Sequence, residues 1–257
     1  MKSPLLLCWL AAAVWGGESA SSFAQSSAAE ASADLWQLAQ REKVTHRFST
    51  LFTAQNVRDL LSSDAGLASA VEWCRKTAVT KVYVEEFRDG YQADRAALLR
   101  VKARFNQEGI EASGCITPTG VGKSSTGWKN TISCYTDKPT QQRLKAIFEF
   151  AAGLFDEIMV DDFWFTDCAC ADCDAARQAR TVTIGDQTYP VSGDSWEDYR
   201  CELMVHLSRD YVLAASKAVN PKVRVIIKYP QWYDRFHERG YEIVRESADF
   251  DRIWVGT

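Results

Sequence analysis

The feature that most constrains the fold is a strand-then-helix unit that repeats from about residue 44 to residue 257. Six apolar segments are predicted as strands: Val44–Phe52, Thr80–Phe87, Ile110–Ile116, Glu157–Phe163, Val223–Tyr229 and Arg252–Val255. Five segments between them are predicted as helices: Ala65–Lys76, Asp94–Gln107, Thr140–Phe155, Ser195–Val219 and Asp234–Ser247. Strands joined by helices pair in parallel through right-handed crossovers, which predicts an α/β protein.

Two architectures are built from such units, an open doubly wound sheet and a (β/α)8 TIM barrel. No glycine-rich phosphate loop follows the first strand, although a dinucleotide-binding open sheet would need one. Long polar insertions at 117–139 and 164–194 follow the third and fourth strands, on the side where barrel proteins build their sites. We therefore favour the barrel. Because eight strands close such a barrel, we expect one that is truncated after about the sixth strand.

The N-terminus has the three parts of a secretory signal. Lys2 precedes the apolar stretch Leu5–Trp15, and small residues lead to Ala24, after which we expect cleavage. The apolar stretch is too short for a membrane anchor, and no later segment is apolar enough to cross a bilayer. We therefore expect a secreted or periplasmic protein, with a signal peptide at 1–24, a spacer and lead-in at 25–43 and a partial barrel at 44–257.

The fourth predicted strand ends in the densest group of candidate catalytic residues. The run from 155 to 165 reads FDEIMVDDFWF, so an apolar strand delivers Asp161 and Asp162 to its C-terminal end, where barrel enzymes keep their catalytic groups. Because side chains alternate along a strand, we expect only one of the two to face the barrel mouth. Carboxyl groups in this position act as general acids or bases in some proteins and only cap a loop in others.

The cysteines indicate a metal site. Seven of them follow the signal peptide, and an odd number cannot all pair within one chain. Cys168, Cys170 and Cys173 form a C-x-C-x2-C group just after the fourth strand, a spacing that suits a tetrahedral zinc ion. We expect Cys134 as the fourth ligand and Cys115 as the second choice, with disulfides or free thiols as the alternatives. Four thiolates leave no open coordination position, so such a zinc ion would be structural.

Other strand ends carry charged and aromatic residues that could bind a sugar. The candidates are Glu85 and Arg88 after the second strand, Trp128 in the third loop, and Lys228 and Trp232 after the fifth strand. Charged groups hold sugar hydroxyls, and aromatic rings stack on sugar rings. A salt-bridged barrel rim and local packing are the competing interpretations. The net charge of −4 argues against a protein that follows nucleic-acid phosphates.

The run FDEIMVDDFWF resembles the fourth-strand motif of the hypothetical glycoside-hydrolase-like TIM-barrel families, which reads approximately FDEIQFDYIRF. The resemblance places Asp161 on the aspartate of that motif and Asp162 where those families have an aromatic residue. It implies a glycoside hydrolase, or a related protein, that acts on a carbohydrate with Asp161 as its acid/base. The second carboxylate would be Glu85 or would lie beyond Thr257. The cysteine arrangement is similar to that of the zinc-containing bacterial β-galactosidases.

Two other functions stay open from the sequence. A non-catalytic carbohydrate-binding barrel would keep the aromatic residues and lack the pair of acids. A zinc-dependent hydrolase would need histidine or carboxylate ligands and an open coordination position, which a site of four cysteines does not provide.

Overall fold

The computed structural model describes residues 33–231 and 233–256, so the signal peptide, most of the spacer and Trp232 lie outside the described residues. The strands of the described part, numbered in chain order, are β1 Phe48–Phe52, β2 Val79–Arg88, β3 Tyr91–Gln92, β4 Glu111–Ile116, β5 Glu157–Val160, β6 Thr181–Ile184, β7 Gln187–Pro190, β8 Arg224–Tyr229 and β9 Arg252–Val255.

The α-helices of the described part alternate with these strands. They are α1 (33–42), α2 Ala54–Asp59, α3 Asp64–Lys76, α4 Arg95–Gln107, α5 Lys138–Ala152, α6 Ala171–Gln178, α7 Trp196–Leu207, α8 Ala215–Val219 and α9 Ile243–Asp249. Asp94, Asp137 and Ser195 start α4, α5 and α7 by accepting a hydrogen bond from a backbone N–H of the first turn. No helix among the described residues is both long and apolar enough to cross a membrane.

The main sheet has the strand order β1-β2-β4-β5-β8-β9, and every neighbouring pair in this order is parallel. The order never reverses, whereas a doubly wound sheet reverses at its switch point. Each new strand is therefore added to the same side, as in a barrel, and the helices cover the outer face. The predicted α/β class and partial TIM barrel are confirmed. The short β3 pairs antiparallel with β2, and β6 and β7 form a separate hairpin.

The two faces of the main sheet have different neighbours. The outer face packs on the helices and forms the large apolar core. The inner face carries a separate apolar layer of four buried residues, Tyr83, Cys115, Met159 and Ile226. Because side chains alternate along a strand, the residues two positions before and two after each of these point to the same inner face. One polar group therefore lies below this layer, at the N-terminal strand ends, and another lies above it.

Several element boundaries differ from those that the sequence predicts. The first strand begins at Phe48 rather than Val44, and the fourth ends at Val160 rather than Phe163. The predicted helix Asp234–Ser247 is a short 3-10 turn followed by α9, because the left-handed Gly240 (φ 82°) separates them. A π-helical turn at Ser208–Ala214 interrupts the helix that was predicted to run to Val219. The helices α1, α2 and α6 and the β6–β7 hairpin were not predicted.

Candidate active site

The site begins with a β-bulge near the end of β2. The pairing with β4 shifts register between Glu85 and Phe87, which leaves Glu86 as the extra residue. The Glu86 carboxylate accepts the backbone N–H of Cys115 in the neighbouring strand β4 at 3.0 Å. A side chain at Gly114 would overlap the Glu86 carboxylate and displace it from this position. The bulge thus fixes two consecutive buried glutamates in different surroundings.

Glu85 lies on the inner face, completely buried, and contacts three donors. It accepts the backbone N–H of Ala54 at 2.8 Å and a guanidinium N–H of Arg88 at 3.1 Å, and it is hydrogen-bonded to the Thr117 hydroxyl. The same hydroxyl lies 3.0 Å from Oδ2 of Asp161, just beyond β5. We refer to five residues at these strand ends as the upper cluster: Glu85, Arg88, Thr117, Asp161 and Lys228.

Lys228, near the end of β8, contacts both aspartates. Its Nζ donates to Oδ1 of Asp161 at 2.8 Å and lies 3.9 Å from Oδ2 of Asp162. The expectation that only one aspartate faces the barrel mouth assumed a strand that continues to Phe163. Asp161 still follows the alternation of β5 to the inner face, but the strand ends at Val160, and one ammonium group lies near both carboxylates. The backbone carbonyl of Asp162 also accepts the Tyr241 hydroxyl at 2.6 Å.

Burial and charge act in opposite directions in the upper cluster. Burial raises the pKa of Glu85 to about 7, and its hydrogen bonds and the charge of Arg88 offset only part of this effect. Burial alone would lower the pKa of Lys228, but its hydrogen bond and charge interaction with Asp161 outweigh it and raise that pKa. A buried carboxyl group with a pKa near 7 can gain or lose a proton at neutral pH, as acid and base chemistry requires.

A group of four sulfur atoms lies in the loops after β4 and β5. Sγ of Cys134 lies 3.8 Å from that of Cys170 and 3.6 Å from that of Cys173, and the last two lie 3.6 Å apart. All four sulfurs, including that of Cys168, lie within 4.8 Å of one another. Four sulfurs placed tetrahedrally at about 2.3 Å from a zinc ion would be about 3.8 Å apart. The spacing of the four thiols therefore fits a metal of this size, and none of the four is joined in a disulfide.

The residue before this cluster ties three loops together. The buried Asp167 accepts the backbone N–H of Trp128 at 2.7 Å and a guanidinium N–H of Arg239 at 2.8 Å, and it also accepts the Ser125 hydroxyl. A side chain at Gly127 would overlap the Asp167 carboxylate. The Arg239 guanidinium lies 5.5 Å from the centroid of the Trp128 ring, which is 41% exposed. Asp167 thus connects the loop after β4, the cysteine cluster and the loop after β8.

Residues 31–257 match the sequence profile of a family that is described as a probable glycosyl hydrolase, catalytic domain. The chain belongs to this family. An uncharacterized protein of Saccharolobus solfataricus is 29% identical over 224 residues, which are 82% of this chain and 37% of that protein. Among solved structures, a β-galactosidase from Rahnella sp. R3 superimposes with a TM-score of 0.59 and 12% identity, over 81% of this chain and 38% of that chain. The chain therefore spans under two-fifths of either relative.

The β-galactosidase likeness concerns the fold alone, and it agrees with a half-barrel whose helices cover the outer face. In a barrel of this type, sites lie at the C-terminal ends of the strands. The upper cluster of this glycosyl hydrolase domain occupies those ends, since its members come from β2, β8 and the residues that directly follow β4 and β5. The upper cluster therefore lies at the end of the sheet where barrels of this type have their sites.

Most of the candidate residues lie in one of three groups in the glycosyl hydrolase domain. Glu85, Arg88, Asp161 and Lys228 meet in the upper cluster, with Asp162 beside them. Cys134, Cys168, Cys170 and Cys173 share the sulfur cluster, whereas the second choice, Cys115, lies in the inner apolar layer. Trp128 lies in the loop that Asp167 holds.

Sequence reasoning missed Thr117, Asp167 and Arg239. Thr117 was within reach, since it directly follows the predicted third strand. In the structure Asp161 likewise directly follows β5. Nothing in the sequence marks Asp167 or Arg239, because the two are separated by 72 residues and only the fold brings them together.

Proposed function

We propose that this domain is an exported glycoside hydrolase that acts on a carbohydrate by carboxylate acid/base chemistry. The observation that supports it is the pair of inner-face carboxyl groups, Glu85 and Asp161, which lie at the C-terminal strand ends with different charge surroundings. Asp161 is the residue that protonates the leaving oxygen in this proposal, and Asp162 is the second catalytic candidate. Export rests on the N-terminal sequence pattern alone.

The substrate-binding part of the proposal uses residues around the upper cluster. Arg88 and Lys228 offer partly exposed N–H donors for sugar hydroxyls, with 26% and 13% of their side chains exposed. Trp128 offers an aromatic surface in the loop that Asp167 holds. Trp232 completes this set from the sequence pattern after β8. Removing the Trp128 or Trp232 side chain should raise KM more than it lowers kcat, because neither ring transfers a proton or contacts a catalytic carboxyl group in this proposal.

Asp161→Asn tests the catalytic assignment. The amide keeps the shape and most hydrogen bonds of the carboxylate but has no transferable proton. We expect kcat on an unactivated glycoside to fall by roughly 10²–10⁴-fold, the usual contribution of general acid catalysis. An aryl glycoside with a good leaving group should lose much less, because its departure needs little protonation.

Asp162→Asn is the matched control, since it lies one residue along and near the same Lys228 ammonium. It should change the free energy of unfolding more than kcat. A larger loss of rate in Asp162→Asn would move the acid role to that residue. Unchanged sugar binding together with the absence of hydrolysis in the wild type would support a non-catalytic carbohydrate-binding barrel instead.

We propose that the four cysteines bind one structural zinc ion. The spacing of the four sulfurs supports this, and four thiolate ligands leave no position for a substrate or a catalytic water. The residues Cys134, Cys168, Cys170 and Cys173 would hold the ion. Its role would be to fix the loops after β4 and β5 beside the upper cluster.

Metal analysis of the purified protein should find about one zinc ion per chain. Cys170→Ser should lose the metal and lower the melting temperature, because the ion binds the folded state and not the unfolded chain. Cys201→Ser is the control, since Cys201 is buried outside the sulfur cluster and should leave the zinc content unchanged. A mass-spectrometric link between Cys134 and Cys168 or Cys173, without zinc, would replace the metal by disulfides.

A further inference from the structure

We propose that Glu85 and Asp161 share a single proton across the Thr117 hydroxyl, and that Thr117 is the positioning residue that passes this proton to Asp161. The use of the proton in catalysis rests on the proposed function. The presence of the proton does not, because it follows from the contacts of three side chains.

The hydrogen-bond count of the Thr117 hydroxyl requires the proton. A hydroxyl has one hydrogen to donate, and its oxygen can accept from other donors. Here the oxygen contacts Oε1 of Glu85, lies 3.0 Å from Oδ2 of Asp161 and lies 3.3 Å from a guanidinium nitrogen of Arg88. If both carboxyl groups were ionised, the Thr117 hydroxyl could donate its one hydrogen to only one of them. The other carboxylate oxygen would then face the Thr117 oxygen with no hydrogen between the two. One of the two carboxyl groups is therefore protonated.

The charges around the two groups place that proton on Glu85. Asp161 accepts a hydrogen bond at 2.8 Å from the ammonium group of Lys228, whose side chain is only 13% exposed. Glu85 is completely buried, and its cationic partner Arg88 is twice as exposed as Lys228 and so more strongly screened. The Glu85 carboxyl then donates to the Thr117 oxygen, and the Thr117 hydroxyl donates to Asp161. Burial also raises the pKa of Glu85 to about 7, which agrees with this order.

The transfer itself moves two protons and leaves every charge accounted for. The Glu85 O–H proton moves to the Thr117 oxygen. The Thr117 proton moves at the same time to Oδ2 of Asp161, which then gives this proton to the glycosidic oxygen. The O–H bonds of Glu85 and Thr117 break, new O–H bonds form on Thr117 and Asp161, and the negative charge passes from Asp161 to Glu85. No oxidant, metal or cofactor is needed.

Other charged and titratable groups face this pair from each strand around it. Cys115 of β4 lies in the layer below, Asp162 lies beyond β5, and Glu86 lies across β2. Arg88 from β2 and Lys228 from β8 are the cations in contact with the pair. The Ala54 N–H of α2 adds an uncharged donor to Glu85.

Infrared difference spectroscopy at about pH 6, below the pKa of Glu85, tests where the proton lies. Glu85→Gln should remove one band of a protonated carboxyl group, whereas Asp161→Asn should leave that band in place. Glu86→Gln should remove a different band, since Glu86 is buried outside the bridge and its pKa is also raised. Thr117→Val should shift the Glu85 band, because its acceptor is lost, and Thr117→Ser should restore the wild-type position.

Kinetics test the transfer. Thr117→Val should lower kcat on an unactivated glycoside by up to about 10²-fold and change its pH profile, with little change in KM. Thr117→Ser should recover most of the rate, which a purely structural role of the threonine methyl group would not allow. The proposal is overturned if the wild type has no Glu85 band, if the band disappears only in Asp161→Asn, or if Thr117→Val keeps the wild-type kcat. If no glycoside is hydrolysed, the proposed function fails, and the infrared bands decide the shared proton alone.

Discussion

The inner face of the sheet carries a charged cluster at each end, and the two differ in their balance of charge. The lower cluster lies at the N-terminal strand ends, below the apolar layer, and consists of Lys81, Glu111, Ser113, Glu157, Arg224 and Arg252. Three cations surround the buried Glu157 there, with Arg224 at 3.2 Å, Arg252 at 3.1 Å and Lys81 in direct contact. In the upper cluster two cations serve two carboxyl groups and the nearby Asp162.

Because the two clusters differ in this way, the pKa values of Glu85 and Glu157, two buried glutamates on the same face, are shifted in opposite directions. Burial alone would raise the pKa of Glu157, but the hydrogen bond and charge of Lys81, with Ser113 and Arg224, outweigh it and lower that pKa. The pKa of Glu85 is raised instead. A carboxyl group whose pKa is near neutral can exchange a proton at neutral pH, whereas one whose pKa is lowered stays ionised there. The comparison teaches that burial alone does not set the pKa of a carboxyl group, because hydrogen bonds and nearby cations act in the opposite direction.

The largest effect should come from removing the carboxylate of the lower cluster. Glu157→Gln leaves the buried Lys81 with the half-exposed Glu111 as its ion-pair partner and removes the carboxylate that Arg224 and Arg252 contact. Breaking a buried ion pair from one side costs about 3–5 kcal/mol, which urea denaturation at pH 7 would measure. The pH profile of kcat should stay that of the wild type. A changed profile would show that the lower cluster takes part in the chemistry and would break the comparison.

The next effect concerns Glu85 and the pH dependence of stability. Because its pKa is raised from 4.5 to about 7, the folded protein holds a proton that the unfolded chain releases first. The raised pKa contributes about 3 kcal/mol to the free energy of unfolding below about pH 4.5. This contribution is lost as the pH rises to 7. Glu85→Gln should remove this part of the slope of unfolding free energy against pH. Glu157 should act in the opposite direction, with its contribution lost as the pH falls through its lowered pKa. A slope that Glu85→Gln leaves unchanged would contradict the raised pKa.

The smallest effect belongs to the exposed edge of the lower cluster. The Glu111 side chain is 43% exposed, and it pairs with Arg47 at 2.6 Å and Lys81 at 3.0 Å. Solvent screens such pairs, so Glu111→Gln should change the unfolding free energy by no more than about 1 kcal/mol. A loss comparable to that of Glu157→Gln would show that the two carboxylates act as one unit, which a double-mutant cycle would measure.

The sequence allowed prediction of the order and parallel direction of the main strands, because apolar runs and helix caps such as Asp94 and Ser195 are local signals. It also allowed prediction of the four clustered cysteines, since three of them share one loop. The bulge at Glu86 and the end of β5 at Val160 depend on pairing with β4, which no local pattern records. For that reason, the sequence could not show that Lys228 lies near both aspartates. The roles of Asp161 and Asp162 remain predictions.

The position of Asp167 has a consequence for the thermodynamics of ligand binding. One carboxylate fixes Ser125, the Trp128 backbone and the Arg239 guanidinium before any ligand arrives. Immobilising a long side chain costs roughly 0.5–1.5 kcal/mol in conformational entropy. Here that entropy is lost when the chain folds, so a ligand that contacts Trp128 or Arg239 meets side chains that are already ordered. Calorimetry of Asp167→Asn should therefore show a more unfavourable binding entropy than the wild type for the same ligand.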